Sequence, residues 1–194
     1  MYSLISAFDN NFGIGYKNGL PWRSCRDDML HFKSVTSGKL LLCGYNTYLG
    51  LDLSSIVSMG RELLIMPRGL SCYDSSDIID YINANNPNGK DVIIIGGSSV
   101  YDYFLRNNLV RKMYLTWVRS IFSCDVYFPY EHLLGVEVCD SSVYDSGNCS
   151  SLKFLDIFEG RGYRKLVHDK KVSLLQSWDN YIERVETRYF ELYL

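Results

Sequence analysis

Three apolar runs, at residues 39–43, 62–66 and 92–95, constrain the fold of this chain most. Each is nearly continuous in Leu, Ile and Val and too short for a stable core helix. Such runs fit strands buried on both faces, since a half-exposed strand alternates apolar with polar residues. The stretches near 24–35, 46–51, 76–84 and 98–107 predict helices. In the third, Ile78, Ile79, Tyr81 and Ile82 suit an amphipathic crossover helix. Residues 4–8 read as an apolar first strand, while 112–118 and 187–194 alternate and predict further strands. Strands alternating with helices imply an α/β protein: a mostly parallel sheet, right-handed crossovers and helices on both faces.

A chain of 194 residues with 47% hydrophobic content can bury a sizeable core, so residues 1–194 are expected to form one domain. The net charge of −2 gives no nucleic-acid footprint, and no basic run suggests a membrane surface. The start, Met-Tyr-Ser-Leu-Ile-Ser, has neither a charged n-region nor a long apolar stretch, so secretion is not expected. Cysteines at 25, 43, 72, 124, 139 and 149 form no Cys-x-x-Cys pair or zinc-like spacing. No metal site is expected, and a reduced, cytoplasmic setting is the simplest reading. Cys43, inside an apolar run, is expected to be a free buried thiol.

Within Pro21–Thr36, Asp28 stands out. Helical periodicity places it beside Phe32 and close to Met29. A carboxylate aimed into an apolar, aromatic-lined pocket is costly unless something cationic or proton-sharing meets it. A flat heterocycle with an amidine-like edge would suit, taking two hydrogen bonds from one carboxylate. The plainer alternative is an acid favoured by a helix N-terminus. Asp27 and Asp28 point about 100° apart on a helix, and the four-residue step to Phe32 selects Asp28. In Gly96-Gly97-Ser98-Ser99-Val100-Tyr101, a strand ends, two glycines turn, and a helix begins. Its free N–H groups would suit a pyrophosphate, unless this is simply a tight turn. It is not the G-x-G-x-x-G fingerprint, so a Rossmann domain is not indicated.

The ordered set runs Leu4–Phe8, Gly13–Trp22, Gly44–Tyr48, Gly60–Met66, Ile95–Tyr101, Tyr114-Leu115-Thr116 and Tyr189–Tyr193. It resembles the dihydrofolate reductase family from residue 1 to about 130 and again over the last six residues. The resemblance implies a central eight-stranded sheet with an antiparallel C-terminal strand, and NADPH-dependent reduction of dihydrofolate. It implies that Asp28 binds the pterin amino-amidine edge and that Thr116 hydrogen-bonds that carboxylate. Ile5, Ala7 and Ile95 would form the pterin pocket, Met29 and Phe32 would pack on the pterin and benzoyl rings, and Arg61 would pair with the glutamate α-carboxylate. Asp28 would orient the pterin and promote protonation by water, with Trp22 organising that water and the lid.

For the cofactor, the resemblance implies contacts from Ala7, Ile14, Gly15, Leu20, Gly44, Met66 and Ile95. The turn residues Gly96, Gly97, Ser98, Ser99, Val100 and Tyr101 would follow, through a cis Gly-Gly peptide, with Tyr101 near the nicotinamide. Thr47 would add a second backbone phosphate site and Arg68 a basic residue for the ribose 2′-phosphate. The loop Asp9–Leu20, with glycines at 13, 15 and 19, would be a lid. Three positions depart from the family pattern. Tyr45 stands where it usually has Arg or Lys, Pro67 replaces a common serine, and Ser58-Met59-Gly60-Arg61 replaces Leu-Pro-Gly-Arg. Counting forward from Trp22, as family members with a shorter loop do, would allow Asp27 as the acid.

Two other readings remain at this point. The pyrimidine reductase of riboflavin synthesis shares the fold and an Ile-Gly-Gly turn, but lacks the Pro-Trp followed by an acid and Phe. A non-catalytic protein of this fold would draw support from Tyr45 and the unusual C-terminal region. The segment at about 135–186 exceeds what compact members need. There Ser173–Gln176 looks like a capping box. Leu174, Leu175, Trp178, Tyr181, Ile182 and Val185 then recur at helical spacing. That 173–185 helix would pack on its own domain, or else contact a subunit or partner. A monomer is expected.

Overall fold

The computed structural model describes residues 2–22, 26–133, 137–139, 151–153 and 187–193. Its parallel strands are β1 (Tyr2–Phe8), β3 (Leu40–Cys43), β4 (Glu62–Ile65), β5 (Val92–Gly96) and β6 (Val110–Val118). The last strand, β10 (Thr187–Tyr193), runs antiparallel to β6. Their order is β10-β6-β1-β5-β3-β4. Among the described residues the central sheet has six strands, not the eight that the resemblance implied. The remaining strands pair separately. Strand β2 (Gly13–Gly15) joins β7 (Val126–Tyr127), and β8 (Glu137–Cys139) joins β9 (Ser151–Lys153).

Position in the sheet explains burial. Strand β3 lies between β5 and β4, and Leu40 to Cys43 are all buried. The expectation of full burial fails for β4, whose four residues are half-buried because it is the edge strand. Alternation then divides the core between the two faces. On one, Leu4, Phe8, Leu42 and Ile94 pack with Ile78 and Ile82 of α4 (Ser75–Ala84). Val100, Tyr101 and Phe104 of α5 (Ser98–Arg106) complete that side. On the other, Ile5, Leu41 and Ile93 meet Phe32 and Val35 of α1 (Arg26–Thr36), and Ile56 of α3 (Leu53–Val57).

Helix α3, five residues long, was not read from the sequence. Its start nevertheless carries a cap, since Asp52 Oδ1 accepts the Ser54 N–H at 3.1 Å. Cys43, Cys72 and Cys124 are free thiols. Burial pushes the Cys43 thiol up to about 11, which keeps it protonated and unreactive at neutral pH. Among the described residues no helix is long and apolar enough to cross a membrane. The 173–185 helix expected from sequence lies outside the described residues, as does most of 135–186.

Candidate active site

A cleft of about 1540 Å³ opens at the carboxyl ends of β1, β3, β4 and β5, where Ala7, Gly44, Met66 and Gly96 line it. Ligands of open α/β sheets bind at this end, because loops there leave backbone groups free between strands and helices.

Asp28 stands in the first turns of α1 and faces this cleft, with 9% of its surface exposed. Ile5, Ala7, Met29, Phe32, Ile95 and Arg61 line the cleft with it. Burial pushes the Asp28 carboxyl above the usual range; the Thr116 hydroxyl opposes the rise, and His31, one turn along α1, opposes it further. Thr116 is fully buried and does not line the cleft. Among the described residues its Oγ1 meets no partner of good hydrogen-bond geometry, yet it stands close enough to Asp28 to favour the carboxylate.

Arg61 is 3% exposed. Its Nε donates to the Ile56 carbonyl at 3.0 Å, Nη1 to Thr36 Oγ1 at 3.0 Å and Nη2 to the Ser55 carbonyl at 2.5 Å. The Phe32 ring lies 5.7 Å from its guanidinium carbon. None of these partners is an anion. A buried, always-charged group held only by neutral acceptors is a ready receptor for a carboxylate. Neither Ser55, Ile56 nor Leu51, which also line the cleft, was expected from the sequence. The Asp52 cap that launches α3 was the signal available for them.

The other end is built on backbone. The Gly96–Gly97 peptide is cis, and the Gly44 N–H donates to the Gly96 carbonyl at 2.7 Å. This hydrogen bond sets the start of α5 beside the start of α2 (Tyr45–Leu49). Neither helix has a side-chain cap at its N-terminus, so both offer unoccupied N–H donors toward the cleft. A Cβ on Gly97 would lie 3.2 Å from Thr47 Oγ1, so a side chain here would crowd this cradle. Thr47, Ser98, Ser99, Val100 and Tyr101 all line the cleft. Tyr101 O–H donates to the Ile5 carbonyl at 2.7 Å, fixing the α5 start against β1. Tyr45 and Arg68 line the cleft together, with Arg68 Cζ 4.6 Å from the Tyr45 ring centroid. The geometry fits an anionic, dinucleotide-sized group.

The expected lid is anchored at its base. Ile14, Gly15 and Leu20 line the cleft, and Leu20 is half exposed. Asp9 is fully buried, and its Oδ1 accepts the Asn11 and Gly13 N–H groups at 2.8 Å each. Its Oδ2 accepts the Phe122 N–H at 2.9 Å. Further out, the Asp125 N–H donates to the Gly15 carbonyl at 3.0 Å, and the Lys17 N–H donates to Asp125 Oδ2 at 3.0 Å. Sequence reasoning missed the roles of Asp9 and Asp125, because Asp9 to Phe122 and Asp125 to Lys17 are contacts between segments far apart in sequence. Trp22 does not line the cleft; it packs 5.5 Å from the Phe122 ring. Its Nε1–H is buried and meets no partner among the described residues, which leaves a donor that can hold a water.

The sequence profile described as dihydrofolate reductase matches residues 1–154. The dihydrofolate reductase of Aedes albopictus is 29% identical over 66% of this chain and 78% of its own length. That of Drosophila melanogaster is 26% identical over 66% of this chain and 79% of its own. The bifunctional dihydrofolate reductase-thymidylate synthase of Paramecium tetraurelia is 26% identical over 65% of this chain, which spans 28% of that longer protein. With the profile covering well over half of its length, the chain belongs to the dihydrofolate reductase family.

Proposed function

We propose that this chain reduces 7,8-dihydrofolate to 5,6,7,8-tetrahydrofolate, with NADPH as hydride donor. The carrying observation is a buried carboxylate and a buried guanidinium in one cleft. Asp28 and Arg61 have no ion pair among the described residues, and each faces ligand space. A substrate with an amidine edge at one end and a carboxylate at the other matches that pair.

Asp28 binds and orients the pterin edge through two hydrogen bonds. Its raised pKa keeps a proton closer to hand at neutral pH than an ordinary aspartate would. Because it holds the edge away from the reacting nitrogen, the proton travels by water, and the Trp22 Nε1–H is the donor that holds this water. Arg61 fixes the opposite end, with Phe32 and Met29 against the intervening ring. The two uncapped helix starts and Arg68 would hold the phosphates of NADPH, which when bound supplies the hydride. Closure of the Asp9–Leu20 lid excludes bulk water. The whole of residues 1–194 acts as one domain and as a monomer in this proposal.

The test is loss of NADPH absorbance on adding dihydrofolate to the purified chain. Turnover is expected. Turnover only with the riboflavin-pathway pyrimidine, or none from a stably folded chain, would overturn the proposal.

A further inference from the structure

We propose that Tyr45 is a specificity-determining residue: its ring holds the Arg68 guanidinium ready to receive the ribose 2′-phosphate. This rests on the NADPH reading above.

In sequence alone Tyr45 looks like a lost cation. The contact shows what stands there instead, since Arg68 Cζ lies 4.6 Å from the Tyr45 ring centroid. Tyr45 is the first residue of α2 and is itself steadied by the Tyr48 ring, 6.2 Å away. Arg68 is exposed, just beyond the edge strand β4, between Pro67 and Gly69 with its φ of 71°. Pro67 restricts the backbone before it, but a free arginine side chain would still spread over many rotamers.

Stacking narrows that spread in a useful way. An aromatic ring takes the flat face of a guanidinium and leaves the N–H groups around its edge free. Those edge donors are the ones a phosphate takes in paired, charge-assisted hydrogen bonds. A second cation at position 45 would repel Arg68 until a phosphate arrived, whereas a neutral ring aims it beforehand. Binding is strengthened because part of the ordering of Arg68 precedes the ligand.

The test is a double-mutant cycle on the full chain, reading NADPH and NADH dissociation constants by calorimetry. Tyr45→Ala should weaken NADPH about two- to fivefold, the worth of an exposed cation–π contact, and leave NADH unchanged. Tyr45→Phe should retain the wild-type NADPH-to-NADH ratio, because the ring and not the hydroxyl acts. In an Arg68→Ala background, Tyr45→Ala should have no further effect on NADPH. An equal NADH loss in Tyr45→Ala, or an undiminished NADPH loss in the Arg68→Ala background, would overturn the Tyr45 role while leaving the reductase reading intact. Equal loss of both cofactors in Arg68→Ala alone would overturn the role of Arg68 and this proposal with it. Failure of the wild-type chain to bind NADPH would overturn the reductase reading as well.

Discussion

Arg61 Nη1 donates to Thr36 Oγ1 at 3.0 Å, and that same hydroxyl donates to the Phe32 carbonyl at 2.6 Å. One threonine, fully buried at the end of α1, thus ties the candidate substrate anchor to the helix that carries Asp28. Thr36→Val keeps the shape and removes the acceptor, leaving an N–H of the buried guanidinium unmet. The expected cost is about 1–3 kcal/mol of folding stability. The KM for dihydrofolate should rise more than kcat falls, because the anchor acts on binding. Urea unfolding with steady-state kinetics checks both, and an unchanged KM would separate Thr36 from the substrate site.

Asp28→Asn should lower dihydrofolate reduction by roughly 10²–10⁴-fold near neutral pH while cofactor binding persists. Part of the loss should return at lower pH, where solvent protonates the substrate. Asp27→Asn should stay within a few fold, since the four-residue step from Phe32 selects Asp28. Reversed behaviour of the two variants would mean that the acid has been assigned one residue too far along the helix.

The same Asp28 substitution has the opposite sign for stability. Burial raises the Asp28 pKa in the folded chain, so the native state holds its proton more tightly than the unfolded state. The wild type is therefore relatively favoured below the ordinary aspartate pKa of about 3.9, and loses that advantage as pH rises through the raised value. Asp28→Asn should melt at a higher temperature than wild type at neutral pH. The gap should shrink toward acid. Thermal melts across that range test the sign, and a lower neutral-pH Tm for the variant would contradict it.

Gly50 follows α2, and a Cβ added there would sit 2.6 Å from the Asn18 carbonyl oxygen. The clash is with lid backbone, which cannot rotate away as a side chain would. Gly50→Ala should displace the lid tip and lower kcat/KM by up to about 10²-fold, the scale of an ångström of misplacement. The core elements do not touch this contact, so far-UV circular dichroism should be unchanged. Wild-type kinetics from this variant would mean that the lid does not need its tip at α2.

The short apolar runs declared strands and the 3.6-residue period placed Asp28 beside Phe32, because each depends on spacing within a few residues. The Gly96-Gly97-Ser98 turn was legible for the same reason. The partners of Arg61 were not, since Thr36, Ser55 and Ile56 come from two helices that meet only in the folded chain. Nor was the half-burial of β4, which looked like β3 in sequence but ended at the sheet edge.

By itself, then, the sequence determined the six strands of the central sheet and four of the helices, their order, the choice of Asp28 as the candidate acid and the family resemblance. Periodicity, glycine turns and local backbone preference act over one or two turns of chain and need no partner. The tertiary structure alone decided which charges lost their water, which strand closed the sheet, and that Tyr45 would lie against Arg68, 4.6 Å from ring to guanidinium carbon. Those outcomes depend on segments far apart in sequence reaching one place, where desolvation and contact are set by whatever else has packed there.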